Sequence, residues 1–159
     1  KINQLWRGCQ DMIRYMVNGD TIQIGKKGVL EVLGSERAIL LPSGLMLRYD
    51  DLSGEQGERG VEYSYKTRRG RTRIYGGKVT ENVCQAIARC IIGEQMLQIS
   101  KRCRVVLTVH DSIVVCVKNE DVAESQAFVE KCMRWTPDWA KGLPINCESG
   151  TGKTYGDCE

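Results

Sequence analysis

Two adjacent residues, His110 and Asp111, interrupt an otherwise apolar run, RVVLTVHDSIVVCV, at residues 104–117. His110 is the one histidine in the chain. A carboxylate buried in such a run without a partner would be costly. At a hairpin tip it gains a use, because it can face a divalent ion or a charged ligand. The β-branched runs Val105–Val109 and Ile113–Val117 would then hold it within a rigid sheet. Aspartate is also an ordinary turn residue, and these residues alone leave both readings open.

The second chemically suggestive stretch is KTRRGRTRIYGGK, residues 66–78. Lys66, Arg68, Arg69, Arg71, Arg73 and Lys78 stand there without an acid, although the whole chain carries a net charge of only +3. Such a cluster suits a polyanion such as nucleic acid; a solvated basic loop is the alternative. Tyr63, Tyr65 and Tyr75 alternate with polar residues nearby, a pattern that serves either base stacking or sheet packing.

Other chemistries find less support. The eight cysteines include no C-x-x-C pair, and a single histidine cannot complete a Cys2His2 site. Several occupy apolar positions, so reduced thiols in a cytosolic protein are expected; four disulfides in a secreted protein would be the alternative. SGTGKTYG at 149–156 imitates a phosphate loop, but Cys147 stands where the first glycine belongs and five residues follow Thr154. No apolar run approaches the roughly 20 residues of a membrane helix, and the N-terminus lacks the pattern of a secretory signal.

The elements that must position these residues can be read from periodicity. Ile2, Leu5, Trp6, Cys9, Ile13, Met16 and Val17 predict an amphipathic helix over 2–17. A short strand is expected after it, then a Pro42-Ser43-Gly44 turn entering a strand near 45–49. Residues 53–60 read as a loop, and 61–66 and 71–75 as strands completing an antiparallel meander. The longest helix is predicted over 78–101, with Val79, Val83, Ala86, Ile87, Cys90, Ile91 and Leu97 as its apolar stripe. Glu81, Gln85 and Arg89 lie one turn apart on another face, beside Lys78 and Asn82. A hairpin follows at 104–117, then a helix near 120–135 capped by Asn119, and a last short strand at 145–148. The length of 159 residues suits about one domain with a real core. The fold class expected is α/β in the α+β sense, with helices on one face of an antiparallel sheet.

In this order, the segments resemble family A DNA polymerases. LTVHDSIVV is similar to the family's third motif, a palm hairpin with His-Asp at its tip. YGGKVTENVCQAIAR at 75–89 resembles the palm helix that precedes it in phage-type members. LPSG at 41–44, PDWAKGLPINCESG at 137–150 and the opening INQLWRGCQDMIRYMVNG match flanking segments. The resemblance implies residues 1–40 as a helical segment derived from the fingers and 41–159 as the palm.

It further implies roles. Asp111 would be one of two carboxylates holding catalytic magnesium ions, which lower the pKa of the primer 3′-hydroxyl and stabilise charge on the phosphates. His110 would position the primer terminus. Gln85 would enter the minor groove of primer–template DNA, with Arg89 near the metals or the DNA backbone and Asn82 and Lys78 beside them. Arg68, Arg69, Arg71 and Arg73 would contact backbone phosphates. Deoxynucleotide triphosphates would be the substrates and the host cytoplasm the location, with no membrane involved. Two departures stand out: Ser112 replaces the usual Glu of the third motif, and the first and second motifs are absent. Those motifs would have to come from the remainder of a larger polymerase, so the 159 residues alone are expected not to polymerise. Two other functions stay open. One is a non-catalytic nucleic-acid-binding module. The other is a small metal-dependent nuclease using Asp111 with Asp50, Asp51 or Glu148.

Overall fold

The computed structural model describes residues 2–24, 29–58 and 60–158, with the side chains of Ile2 and Asn3 left aside. It is an α+β fold with three α-helices and three antiparallel sheets among the described residues. Two compact units divide the chain, Lys1–Ile87 and Ala88–Glu159.

Unit 1 opens with helix α1 (Ile2–Asn18), which buries Cys9, Met12, Ile13 and Met16 on one face. Leu5 and Trp6, expected on that stripe, are about half exposed. Four short strands follow, β1 (Thr21–Ile24), β2 (Leu30–Leu33), β3 (Ala38–Leu40) and β4 (Met46–Arg48), paired in sequence order. Among the described residues, the α-helix anticipated across residues 1–40 therefore ends at Asn18, with only a 3-10 turn at Gly34–Glu36 beyond it in that range. The alternating Ile22, Ile24, Leu30 and Val32 favour extended chain and pack on the core under α1. A domain boundary at residue 40 would fall inside the β3–β4 hairpin, whose Leu41–Leu45 turn closes with Gly44 at φ +82°.

A second sheet joins β5 (Ser53–Gly57), β6 (Gly60–Thr67) and β7 (Gly70–Ile74). The stretch read as a loop at 53–60 is thus largely a strand, since Gly54 faces Tyr63 and leaves room for its ring. The meander consists of β5–β7, while β4 belongs to the other sheet. Helix α2 (Gly76–Ser100) contributes Val79 and Val83 to the unit 1 core. Its first residue lies against α1: the Gly76 N–H donates to Gln10 Oε1 at 2.7 Å, and a Cβ there would press on the Trp6 carbonyl oxygen at 2.5 Å.

Unit 2 contains the rest of α2, the hairpin β8 (Arg104–Val109) and β9 (Ser112–Cys116), and α3 (Val122–Met133). Ile99, Cys103 and Cys132 form its centre, with Val105, Ile113, Val115, Phe128 and Val129 against them, so helices cover one face of the hairpin. Burial, and then the neighbouring Cys103, push the Cys132 thiol up, which keeps it protonated and unreactive. Leu97 is 63% exposed, whereas Gln95 is fully buried. The Gln95 amide explains the exchange: its Nε2 donates to the carbonyls of Met133 and Trp135 at 2.7 and 2.9 Å, satisfying orphan acceptors at the end of α3. Asn119 lies inside a short 3-10 turn, Asn119–Asp121, and does not cap α3; Asp121 precedes the helix without a side-chain cap bond.

Residues 145–148 form no strand. Side chains at the C-terminal end of α3 and just past it hold this segment instead: Arg134 Nε donates to Asn146 Oδ1 at 3.1 Å, and Ser149 donates to Glu130 at 2.5 Å. The Ser149 bond and Arg134 hold the Glu130 carboxyl below its ordinary range.

Candidate nucleic-acid and metal site

The His-Asp pair sits where the β-branched runs must turn. Val109 pairs with Ser112, leaving His110 and Asp111 as the two residues of the turn. His110 adopts φ +53°, a left-handed conformation in which histidine is enriched among non-glycine residues. Both side chains are exposed, and neither makes a hydrogen bond or ion pair with a described residue. The hairpin is anchored from one face by the unit 2 core. A bulge at Val106 shifts the register, so Val105 faces the core while Leu107, opposite Val114, faces outward.

Magnesium takes six oxygens in near-octahedral order and often keeps several waters beside one or two carboxylates. Asp111 offers a single carboxylate. Among the described residues no three His, Cys, Asp or Glu side chains come together in a metal-holding group. These residues do not by themselves make a magnesium site. Asp51, nominated as a nuclease acid, is already engaged by Arg71.

The basic stretch is a hairpin. Thr67 pairs with Gly70, and Arg68 and Arg69 occupy the two-residue tip, both exposed and free of ion pairs with described residues. Thr67 Oγ1 braces the turn by donating to the Gly70 carbonyl at 2.8 Å. Lys66, opposite Arg71, is likewise exposed and makes no side-chain ion pair with a described residue, whereas the other three cations have partners from beyond the stretch. Arg71 is bound by Asp51 at 2.6 Å and by Ser53 and Ser64. Arg73 pairs with Glu62 at 2.6 Å, and Lys78 with Glu81 at 2.9 Å. The acid-free appearance of 66–78 thus holds in space for Lys66, Arg68 and Arg69 but not for Arg71, Arg73 and Lys78; Glu81, three residues beyond Lys78, was the one partner visible from helical spacing.

On α2, Gln85 and Arg89 are exposed one turn apart. Gln85 Nε2 donates to Glu81 Oε1 at 3.3 Å. Asn82 turns inward, its Nδ2 donating to the Tyr49 hydroxyl at 3.2 Å. Burial raises the Tyr49 pKa, against the Asn82 bond, which lowers it. Tyr65 packs edge-on against Tyr49, with ring centroids 5.2 Å apart. Tyr63 and Tyr65 therefore serve sheet packing, while Tyr75 stays 61% exposed.

The phosphate-loop imitation is closed on itself. Thr154 gives its hydroxyl and backbone N–H to Asp157 Oδ2 at 2.7 and 3.0 Å, and Gly152 abuts Asp157 so tightly that no Cβ fits.

No helix among the described residues is long and apolar enough to cross a membrane. Over 121 residues the chain is 33% identical to a DNA polymerase of Bacillus phage SP02. The match takes in 69% of this chain and 18% of that protein, so the chain spans under a fifth of the length of the curated relative. No family model and no solved structure matches it.

Proposed function

We propose that these residues form the palm portion of a family A, phage-type, template-directed DNA polymerase. The observation that carries this reading is the placement of Asp111, an exposed carboxylate on a two-residue turn whose hairpin is backed by helices. The likeness to a phage DNA polymerase supports it. Asp111 is the chain's contribution to a divalent-metal site that needs a further carboxylate from outside these residues. His110 positions the primer terminus beside it. Gln85, with Arg89 on the next turn, addresses the primer–template duplex. Lys78 and Asn82 lie nearby but are engaged by Glu81 and Tyr49.

Of the basic residues, Arg68 and Arg69 at the tip, with Lys66 beside them, are the ones best placed for phosphates. Arg71 and Arg73 act mainly to brace the sheet through Asp51 and Glu62. This division yields a measurable consequence. The Arg68→Ala/Arg69→Ala double variant should lower the slope of log affinity against log salt for duplex DNA by about 1.8, since each phosphate contact contributes about 0.9. Arg71→Ala should leave that slope nearly unchanged and destabilise the fold instead. Equal slopes for wild type and the double variant would remove the tip from the interface.

The chain by itself, mixed with primed template, magnesium and deoxynucleotide triphosphates, should give no extension, because the single carboxylate cannot complete two-metal chemistry. Robust extension would refute this assignment.

A further inference from the structure

We infer that unit 1 carries a path for single-stranded nucleic acid, with phosphates at the exposed cations Lys66, Arg68, Arg69 and Arg7 and an unpaired base stacked at Trp6 and Tyr75. The inference extends the polymerase reading but uses neither Asp111 nor Gln85.

Trp6 and Tyr75 are 53% and 61% exposed, and both border a cleft of about 330 Å³ that also takes in Arg7. Single exposed rings are ordinary, but two that border one cleft form a shared aromatic surface. Gly77 creates the seat for one of them: a Cβ there would lie 3.0 Å from Cε2 of the Tyr75 ring. Arg7 makes no hydrogen bond or ion pair with a described residue. A second groove, of about 210 Å³, shares Gln10 and Tyr75 with the first and runs past Arg73.

Side chains alternate along a strand, so Arg71 and Arg73 project to the side opposite buried Ile74, and Tyr75 follows directly after the strand. Arg71 and Arg73 keep 40% and 77% side-chain exposure despite their carboxylate partners. The free Arg68–Arg69 tip begins the same row. Cations without an acid partner among the described residues therefore stand at both ends of β7, Lys66, Arg68 and Arg69 at the hairpin tip and Arg7 beside the two aromatic rings. That is the combination by which proteins track a single strand, cations on the phosphates and rings on the bases. The first cleft is lined by rings, a guanidinium, an amide and glycine backbone, with no aliphatic side chain such as an apolar peptide would seek.

The test is a titration of the full chain with a short oligothymidine, followed by tryptophan fluorescence. Trp6 is one of three tryptophans, so binding should quench part of the emission. Trp6→Ala should abolish that quenching and weaken binding roughly tenfold, the scale of one stacked base. Trp6→Phe should restore the affinity without the quenching, which separates stacking from damage to the fold. Tyr75→Ala should weaken binding similarly, and duplex DNA of equal length should bind without quenching Trp6, its bases being already stacked. Single-strand affinity unchanged in both Trp6→Ala and Tyr75→Ala overturns the path while leaving the polymerase reading intact. Failure to bind any nucleic acid, single or double, overturns both. Quenching of Trp6 by self-association, with no response to oligonucleotide, assigns the cleft to protein and overturns the path.

Discussion

In a polymerase that contains this chain, Asp111→Asn should slow nucleotide incorporation at least ~10³-fold, equivalent to about 4 kcal/mol of barrier. Asparagine keeps the shape of aspartate and its tolerance of turns, so the β8–β9 hairpin should fold as before. What it removes is the negative charge at the tip, and no acid among the described residues stands ready to replace it in a metal-holding group. Ser112, the neighbouring turn-flanking residue, has no charge to offer. Single-turnover incorporation measures the chemical step, and duplex affinity measured beside it should change less than about twofold, because on the proposed reading the Arg68–Arg69 tip supplies that term. Incorporation within tenfold of wild type would take Asp111 out of the chemistry. A parallel loss of duplex affinity would show that the substitution damaged the fold.

The second large effect concerns stability. Gly34→Ala should destabilise unit 1 by about 3 kcal/mol, at the upper end of the usual overpacking cost. A Cβ at Gly34 would meet the carbonyl carbon of Gly19 and the nitrogen and oxygen of Asp20. All three are backbone atoms in the turn that leaves α1, closed by the Asp20 N–H donating to the Tyr15 carbonyl at 2.9 Å. No flexible side chain can move aside to relieve the clash. Gly8→Ala provides the control: it sits within α1, and a Cβ there meets nothing within 4 Å. Alanine at that position should stabilise the helix by up to about 1 kcal/mol. The same chemical change should therefore shift the midpoint of urea unfolding in opposite directions at the two sites. Similar midpoints for Gly34→Ala and wild type would mean that the α1–β1 turn can relax.

Helices α1 and α2 and the His-Asp hairpin were legible because their signals are local. Apolar spacing bounded the helices to within two residues, and β-branched runs around two turn residues specified the hairpin. The misreadings came from information that sequence order does not hold. Residues 53–57 look like a glycine-rich loop, yet they pair with β6 because Tyr63 supplies the bulk that Gly54 lacks. Gln95 looks like a surface residue and Leu97 like core, and the reverse holds because two carbonyls at the end of α3 need a donor. The candidate site divides in the same way. Asp111 is exposed, as its turn chemistry suggests. The neutralisation of Arg71 and Arg73 depends on acids 20 and 11 residues away in sequence, brought close by pairing of β5, β6 and β7.

The β8–β9 hairpin has only two strands, so both of its long sides present unpaired backbone amides and carbonyls among the described residues. Leu107 and Val114 form an apolar outward row beside them, without the lysines that ordinarily deter edge-to-edge association. The same bend that displays a carboxylate thus leaves an open template for strand addition. For the isolated polypeptide, solubility becomes a question of concentration, as each added copy brings another sheet margin in search of a neighbour.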